Sequence, residues 1–586
     1  MKKIIILALV FIFPAVNALF GGKVMVDQLG YRVNEKKYVI STSKDGEFKI
    51  RNAENNKLVY EGSFTGPLKD RDSGDTVFTG DFSDFREEGE YYIETTGGQK
   101  SYKFKIDNKI HNDAFYKVMR GFYLQRCGTA VSDPGGFSHG KCHTQPAKFH
   151  PSTGESGEKL IPKGWHDAGD YGRYVVNLGL STGTLLHMFE RYGKKLKNFS
   201  LDIPESGNSI PDVLDEIRWN LEFMLSMQKY NGGVYHKVTT EKFPKMKMRA
   251  EDDRKQLYIY EITTTATADF AAVMAIAARV YRPYDEKFAE KCLKAAEKSW
   301  DYLSRVRKTM FPAVGFQNPE GTQTGRYSDK DDRDERLWAA AELFTTTNGD
   351  EYHKYFIENY ENWEPAIENA AWWGDVYPTA MLAYAYSPNQ EKKDKVAEEI
   401  VKALKSHADD ILMNIEKNGY RYLLTSFDYK WGSNSVAMNY AINLLAAYEL
   451  LKAKPEFNMS KERLDEYKQG ALDALHYLLG RNPFNRSYVT GIGERYVMNI
   501  HHRPSVASGK DEPFPGLLAG GPNKKRNDKM LKDFVPEGAP PAKCYLDRMY
   551  SYASNEIAIN WNAPLAYVLA FFAEDIIDAP ELNADL

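Results

Sequence analysis

Cysteine is scarce in this sequence: Cys127, Cys142, Cys292 and Cys544 are the only four in 586 residues. A disulfide framework therefore does not hold the fold together. Excess charge of one sign is also lacking, since 77 basic against 81 acidic residues leave a net charge of −4. That balance argues against nucleic acid or an anionic membrane as the main partner. Beyond the amino terminus, no stretch approaches the roughly 18 uninterrupted apolar residues of a membrane span. No repeated sequence period is visible, which speaks against a helical solenoid.

At the amino terminus, Lys2 and Lys3 precede an apolar run, Ile4 to Phe13, that is too short to cross a bilayer. Val16-Asn17-Ala18 then offers small residues for cleavage. Residues 1–18 read as a signal peptide, and the mature protein is expected to be secreted, to the periplasm or the medium, with no membrane insertion. The composition, 42% hydrophobic and 13% aromatic, can bury a large core. Its 38 Tyr and 9 Trp also suit sugar-stacking surfaces, because their faces are apolar and their edges polar.

Residues 19–107 read as β structure. Short alternating runs such as Tyr38-Val-Ile-Ser-Thr and Tyr91-Tyr-Ile-Glu-Thr, punctuated by Gly, Asp and Asn, predict an immunoglobulin-like β-sandwich. Residues 108–586 change to helical periodicity. Twelve helices are expected, near 112–125, 174–192, 211–228, 265–280, 286–305, 332–346, 350–361, 374–387, 392–414, 434–453, 460–480 and 555–575. Several are apolar around most of their circumference, which implies burial on both sides. Six hairpins closed into an α/α toroid would pack them compactly. Long loops are expected at 127–172, 230–262, 307–331 and 481–554, and loops of that length are usually functional.

Gly164-Trp-His-Asp-Ala-Gly-Asp-Tyr-Gly172 carries two carboxylates, Asp167 and Asp170, three residues apart in a glycine-flanked loop. It suits acid–base chemistry on a polar substrate; the alternative is a turn whose Asp side chains cap the helix starting near Arg173. Asn499-Ile-His-His-Arg-Pro504 can bind polar oxygens. Glu556 follows in Tyr545–Ala563, where Tyr552 and Trp561 would desolvate its carboxyl group and favour the protonated form; the alternative is a first-turn Glu complementing a helix dipole. Cys127, Cys142, His143 and His166 make a donor set for tetrahedral zinc, with a Cys127–Cys142 disulfide as the alternative. The acidic run from Asp329 to Glu335 could hold calcium or start a helix. The basic stretches Lys242–Arg254 and Lys524–Lys532 are expected to be solvated loops.

Three of these regions, 164–170, 487–503 and 545–563, resemble the signature regions of glycoside hydrolase family 9. Val26-Asp-Gln-Leu-Gly-Tyr-Arg32 is similar to the immunoglobulin-like domain of one branch of that family. The segments 208–216, 232–237 and 332–338 look like the same branch. The resemblance implies an amino-terminal immunoglobulin-like β-sandwich followed by an all-α (α/α)6 barrel that hydrolyses β-1,4-glucans with inversion. It makes Asp170 the base that activates water, Asp167 its helper and Glu556 the general acid. His501 and Arg503 match the family's His-x-Arg and are expected at sugar hydroxyls. Trp431, Trp561 and His236 are expected substrate contacts, and Asp547 either orients the His-Arg loop or caps its own turn. The resemblance also implies a structural zinc on Cys127, Cys142, His143 and His166, and calcium with Asp332 and Asp334 as ligands; no organic cofactor is expected.

The expected activity is that of a secreted, monomeric endo-β-1,4-glucanase. An exo-acting relative, such as a cellobiohydrolase or exo-glucosaminidase, and a xyloglucan or mixed-linkage glucanase are the alternatives. A zinc-catalysed hydrolase and a non-catalytic glycan-binding protein are more distant readings. With no cellulose-binding module or dockerin-like tail evident after the last helix, insoluble cellulose is expected to be a poor substrate.

Overall fold

The computed structural model describes residues 23–306, 315–362 and 367–574. The expected signal peptide, part of the 307–331 loop and the end of the last expected helix lie outside them. Eight strands come first: β1 (Val24–Met25), β2 (Gly30–Tyr31), β3 (Tyr38–Ser41), β4 (Glu47–Asn52), β5 (Leu58–Lys69), β6 (Thr76–Asp81), β7 (Gly89–Thr95) and β8 (Phe104–Ile106). Their order is β1-β3-β6-β5-β4-β7-β8-β2. The first half of β5 pairs with β4 and its second half with β6, with an irregularity between Thr65 and Leu68. One strand thus serves two sheets. Residues two apart, such as Phe48 and Ile50 on β4 or Tyr91 and Ile93 on β7, point into the same buried core. The immunoglobulin-like sandwich is present as expected.

The twelve long helices are α1 (Ile110–Leu124), α2 (Val175–Leu196), α3 (Asp212–Met227), α4 (Thr264–Tyr281), α5 (Glu286–Arg305), α6 (Arg333–Thr347), α7 (Asp350–Asn359), α8 (Tyr377–Tyr386), α9 (Gln390–Lys417), α10 (Ser433–Lys452), α11 (Lys461–Leu478) and α12 (Ile559–Phe572). The even-numbered helices form an inner ring: α2 packs on α4, α4 on α6, α6 on α8, α8 on α10, α10 on α12, and α12 returns to α2. The odd-numbered helices lie against this ring, for example α5 on α4 and α11 on α10. Sequence pattern explains the division. Within α4, every residue from Thr264 to Ala278 is buried, as an inner helix requires. In α5 burial follows one stripe, Phe288, Cys292, Ala295 and Ser299, as an outer helix requires.

One shifted boundary matters for the site. The last helix begins at Ile559 rather than 555, because Glu556 and Ala558 are both extended. Glu556 therefore precedes the helix and does not serve its dipole.

The sandwich docks through the motif Val26–Arg32. The Asp27 carboxylate meets Nδ1 of His476 on α11 at 2.8 Å, with both side chains fully buried. Its other oxygen accepts the amides of Leu29 and Gly30 at 2.7 and 3.2 Å. Gln28 extends the contact, accepting the Arg495 amide at 2.7 Å. Gly30 has φ +133°, and a Cβ there would meet the Lys105 carbonyl at 2.1 Å, so only glycine fits. Burial pushes the Asp27 carboxyl up from its ordinary range, so its partner matters. His476→Ala is expected to destabilise the protein by about 1–3 kcal/mol, by leaving a buried carboxyl short of a partner. Calorimetry checks this, and an unchanged unfolding midpoint contradicts it.

Candidate active site

The segments leading into α2, α6, α8, α10 and α12 line one cleft of about 820 Å³. The cleft thus lies at the N-terminal end of the inner ring. It contains Asp167, Asp170 and Glu556 together with His501, Arg503, Trp431 and Trp561.

The loop 164–172 is fastened on its far side. Trp165 is fully buried, and its Nε1 donates to Glu216 at 2.8 Å. The Gln125 side-chain amide donates to the carbonyls of His166 and Ala168 at 3.3 and 3.1 Å. The helix-cap alternative for the two Asp residues fails: Tyr174 precedes α2 and no side chain caps it. Instead, Asp170 Oδ2 accepts the Gly172 amide at 3.0 Å and the Tyr174 hydroxyl at 2.9 Å. Asp167 accepts from Asn177 at 2.7 Å and from the Tyr327 hydroxyl at 2.5 Å.

Three distant loops meet here through main-chain hydrogen bonds. The Arg503 amide donates to Gly169 O at 3.2 Å, His501 N to Asn555 O at 2.8 Å, and Ile559 N to Asp167 O at 3.0 Å. The Arg503 guanidinium adds bonds to Gly169 O at 2.6 Å and Pro244 O at 2.9 Å. Gly169 is required by this approach, since a Cβ would stand 2.1 Å from the His501 carbonyl. His501 Nδ1 lies 2.7 Å from the Met549 carbonyl. Burial lowers its pKa, so the neutral ring donates from Nδ1 and leaves Nε2 as an acceptor.

Electrostatics separates the three carboxyl groups. Burial raises Glu556 well above its ordinary range, and the charges of Asp170 and Asp167 raise it further. Burial, followed by the charge on Asp170, pushes Asp167 up to about 8. The cluster therefore favours protons on Glu556 and Asp167.

Trp431, 44% exposed, lines the cleft and packs beside Tyr552 at 5.4 Å. Trp561 forms a more buried part of the wall. His236 corrects the expectation of a substrate contact. It is fully buried, stacks on Phe316 at 4.2 Å and meets the Arg326 carbonyl at 2.7 Å, so it supports the Arg326–Tyr327 segment from behind. Asp547 also lies outside the cleft lining: it accepts the amides of Met498 and Asn499 at 3.0 and 2.8 Å and pairs with Arg486, orienting the loop that carries His501.

Sequence reasoning missed Tyr327, Trp372 and Trp373, all in the lining. The Trp372-Trp373 doublet before α8 was a readable signal. Tyr327 lay in a loop expected to be functional, but nothing local linked it to Asp167.

Behind the catalytic loop, Cys127, Cys142, His143 and His166 cluster, with one ligand atom from each lying within 4.8 Å of the others. The two sulfurs stand 3.9 Å apart, far beyond a disulfide of about 2.05 Å. Thiolates about 2.3 Å from a tetrahedral zinc stand about 3.8 Å apart, so the spacing fits that ion. The Cys142–His166 and Cys127–His143 separations of 3.5 and 3.7 Å fit equally. Cys292 and Cys544 are lone buried thiols.

The expected calcium ligands divide. Asp332 commits one oxygen to an ion pair with Arg336 at 3.0 Å. Asp334 uses one oxygen to accept the Val376 amide at 2.7 Å, and its other oxygen is buried without a partner. Glu335, Asp329 and Asp269 nearby also hold buried carboxyl oxygens without partners.

Residues 111–569 match the sequence profile of glycosyl hydrolase family 9, and residues 20–100 match that of the cellulase N-terminal ig-like domain. The chain belongs to glycosyl hydrolase family 9. Endoglucanase D of Acetivibrio thermocellus is 37% identical over 561 residues, covering 95% of this chain and 84% of that protein. A cellodextrinase of Butyrivibrio fibrisolvens is 32% identical over 571 residues, covering 94% of this chain and 100% of that protein. The crystal structure of a metagenome-derived glycoside hydrolase family 9 endoglucanase superposes with a TM-score of 0.86 at 35% identity, covering 94% of this chain and 99% of that one. The toroid is thus this family's (α/α)6 barrel, and the protein is a glycoside hydrolase.

Glu556→Gln in this family 9 hydrolase is expected to lower kcat by about 10²–10⁴-fold, the contribution of a general acid. The raised pKa of Glu556 also has a consequence for stability. The folded protein keeps a proton that the unfolded chain has released, so stability falls as pH rises from the ordinary glutamate range through the raised value. The variant escapes this cost. Its unfolding midpoint should exceed the wild type's at pH 8 and converge with it below about pH 4. Calorimetry across that range decides, and identical curves at pH 8 mean that Glu556 is not held protonated.

Proposed function

We propose that the chain is an exported endo-β-1,4-glucanase that inverts the anomeric centre and carries a structural zinc. The observation behind the activity is the aromatic-lined cleft holding Asp167, Asp170 and a Glu556 driven toward its protonated form. In this reading Asp170 takes a proton from a water whose oxygen attacks the anomeric carbon. Glu556 gives its proton to the glycosidic oxygen as the bond to that carbon breaks. Asp170 ends protonated and Glu556 ionised, and exchange with solvent restores both. Asp170 Oδ2 is held by Tyr174 and Gly172, which leaves Oδ1 for the water. Asp167, held by Asn177 and Tyr327, positions that water from the second side. His501 Nε2 accepts a sugar hydroxyl, and Trp431 and Trp561 stack on sugar faces. The name of the endoglucanase D relative supports internal cleavage.

Cys127, Cys142, His143 and His166 would hold the zinc, which supplies a brace for the loop carrying Asp167 and Asp170. The calcium reading keeps Asp334, with Glu335 and Asp329 in place of Asp332, because their buried oxygens lack partners. Export rests on the Lys2–Ala18 pattern; among the described residues, no helix is long and apolar enough to cross a membrane.

Hydrolysis of cello-oligosaccharides should release α-anomeric product first, and a soluble cellulose derivative should lose viscosity well before most reducing ends appear. Nuclear magnetic resonance and viscometry check this; a β-anomeric first product defeats the assignment of Asp170 and Glu556. Purified protein should carry about one zinc per chain by elemental analysis. Cys142→Ser should lose the metal and unfold at lower temperature, and a metal-free wild type with the same midpoint as the loaded one would refute the zinc.

A further inference from the structure

The basic stretch Lys524–Lys532, expected to be a solvated loop, contributes to the cleft wall. The Lys524 amide donates to the Tyr429 carbonyl at 2.8 Å, and Asn434 N donates to the Gly520 carbonyl at 3.0 Å. The Ser433 hydroxyl donates to Pro522 O at 2.8 Å. Segments 429–434 and 520–524 therefore run side by side. Lys430 and Lys525 each sit one residue from the first of these bonds, and both line the cleft with Trp431 and Trp372. A third cation, Arg326, lines the cleft next to Tyr327.

These three cations stand outside any ion pair. Among the described residues, none has a carboxylate within the 4.0 Å of an ion pair. The Lys430 ammonium lies over the Trp372 ring at 6.0 Å, and that of neighbouring Lys524 over the Phe427 ring at 5.8 Å. Nearby acids are hydrogen-bonded within their own loops and make no ion pair with the three cations. Asp375, the acid in electrostatic reach of Lys430, accepts from Asn369 at 2.9 Å and the Tyr377 amide at 3.2 Å. Asp428 accepts the Thr425 amide at 2.8 Å, and Asp528 the amides of Leu531 and Ala553 at 2.7 and 2.8 Å.

A neutral glucan needs ring faces to stack on and groups that bond its hydroxyls. It gives no use to three cations held outside ion pairs. Alternating aromatic faces and cations suit a chain with apolar sugar faces and anionic branches. We propose that Lys430, Lys525 and Arg326 form a cationic rim that recognises carboxylate-bearing substituents on a β-1,4-glucan backbone, so that the cleft selects acidic glucans over neutral ones and disfavours aminosugar polymers. This selection rests on the glucanase reading above.

The test compares kcat/KM of the full chain on carboxymethyl and hydroxyethyl β-1,4-glucans of matched length and degree of substitution. It uses the wild type and a Lys430→Gln/Lys525→Gln double variant, at low and at high salt. At low salt the anionic-to-neutral ratio should fall about threefold to tenfold in the double variant, the size of effect that two partly exposed charges give. Salt beyond about 0.5 M should lower the wild-type ratio and leave the variant's unchanged, because screening shortens to a few ångströms. Hydrolysis of both polymers with a ratio that neither substitution nor salt alters overturns the rim. A wild type that cleaves neither polymer overturns the glucanase reading itself.

Discussion

The structure depends on the main-chain stitching at Gly169. One carbonyl receives both the amide and the guanidinium of Arg503, while the His501 carbonyl sits where a side chain at Gly169 would stand. This contact fixes the distance between the Asp167–Asp170 loop and the loop of His501, which in turn bonds Asn555, next to Glu556. Rigid main-chain bonds suit this task better than side-chain contacts, because acid–base catalysis tolerates little displacement of its groups. The Cys/His cluster lies behind the same loop, with His166 immediately before Asp167.

Three carboxyl groups in one buried cleft are costly, and the fold offsets the cost unevenly. Asp170 receives two donors on one oxygen, Asp167 one donor on each, and Glu556 lies near Arg503 with the Gly169 backbone as its donor. The supporting hydroxyls, Tyr174 and Tyr327, are themselves held. Gly325 N donates to the Tyr174 hydroxyl at 3.1 Å, and Lys237 donates to the Gly325 carbonyl at 2.7 Å. His236 accordingly belongs to this supporting layer, where its ring bonds the backbone that carries Tyr327. Burial lowers the Lys237 ammonium to about 7, so this prop is costly too, and it lies within reach of the charge on Asp170. Stability given up at these groups is a normal accompaniment of a preorganised site.

The sandwich bears on the same ring from outside. Asp27 reaches α11, and the β5–β6 connection brings Asp70 to the Gly419 amide at 3.0 Å. These contacts brace the outer layer, far in sequence from the helices they support. Lys525 likewise reaches the cleft because the 481–554 loop folds back along the start of α10.

The sequence by itself determined the two-part architecture and all twelve helices to within a few residues, and it singled out Asp167, Asp170 and Glu556, which the cleft brings together. Those features are local. Period-two alternation specifies strands, apolar stripes specify helices, and a glycine-flanked acidic loop is legible wherever it stands. The tertiary structure decided the rest. It placed His236 behind the wall and not in it, gave Asp547 to the 498–499 amides, and paired Asp332 with Arg336. It also brought Tyr327 to Asp167, 160 residues away, and Lys525 to the cleft. Each of these outcomes depends on which loops the closed ring of helices makes neighbours. Ring closure is a long-range packing event, and no local pattern encodes which side chains it sets face to face.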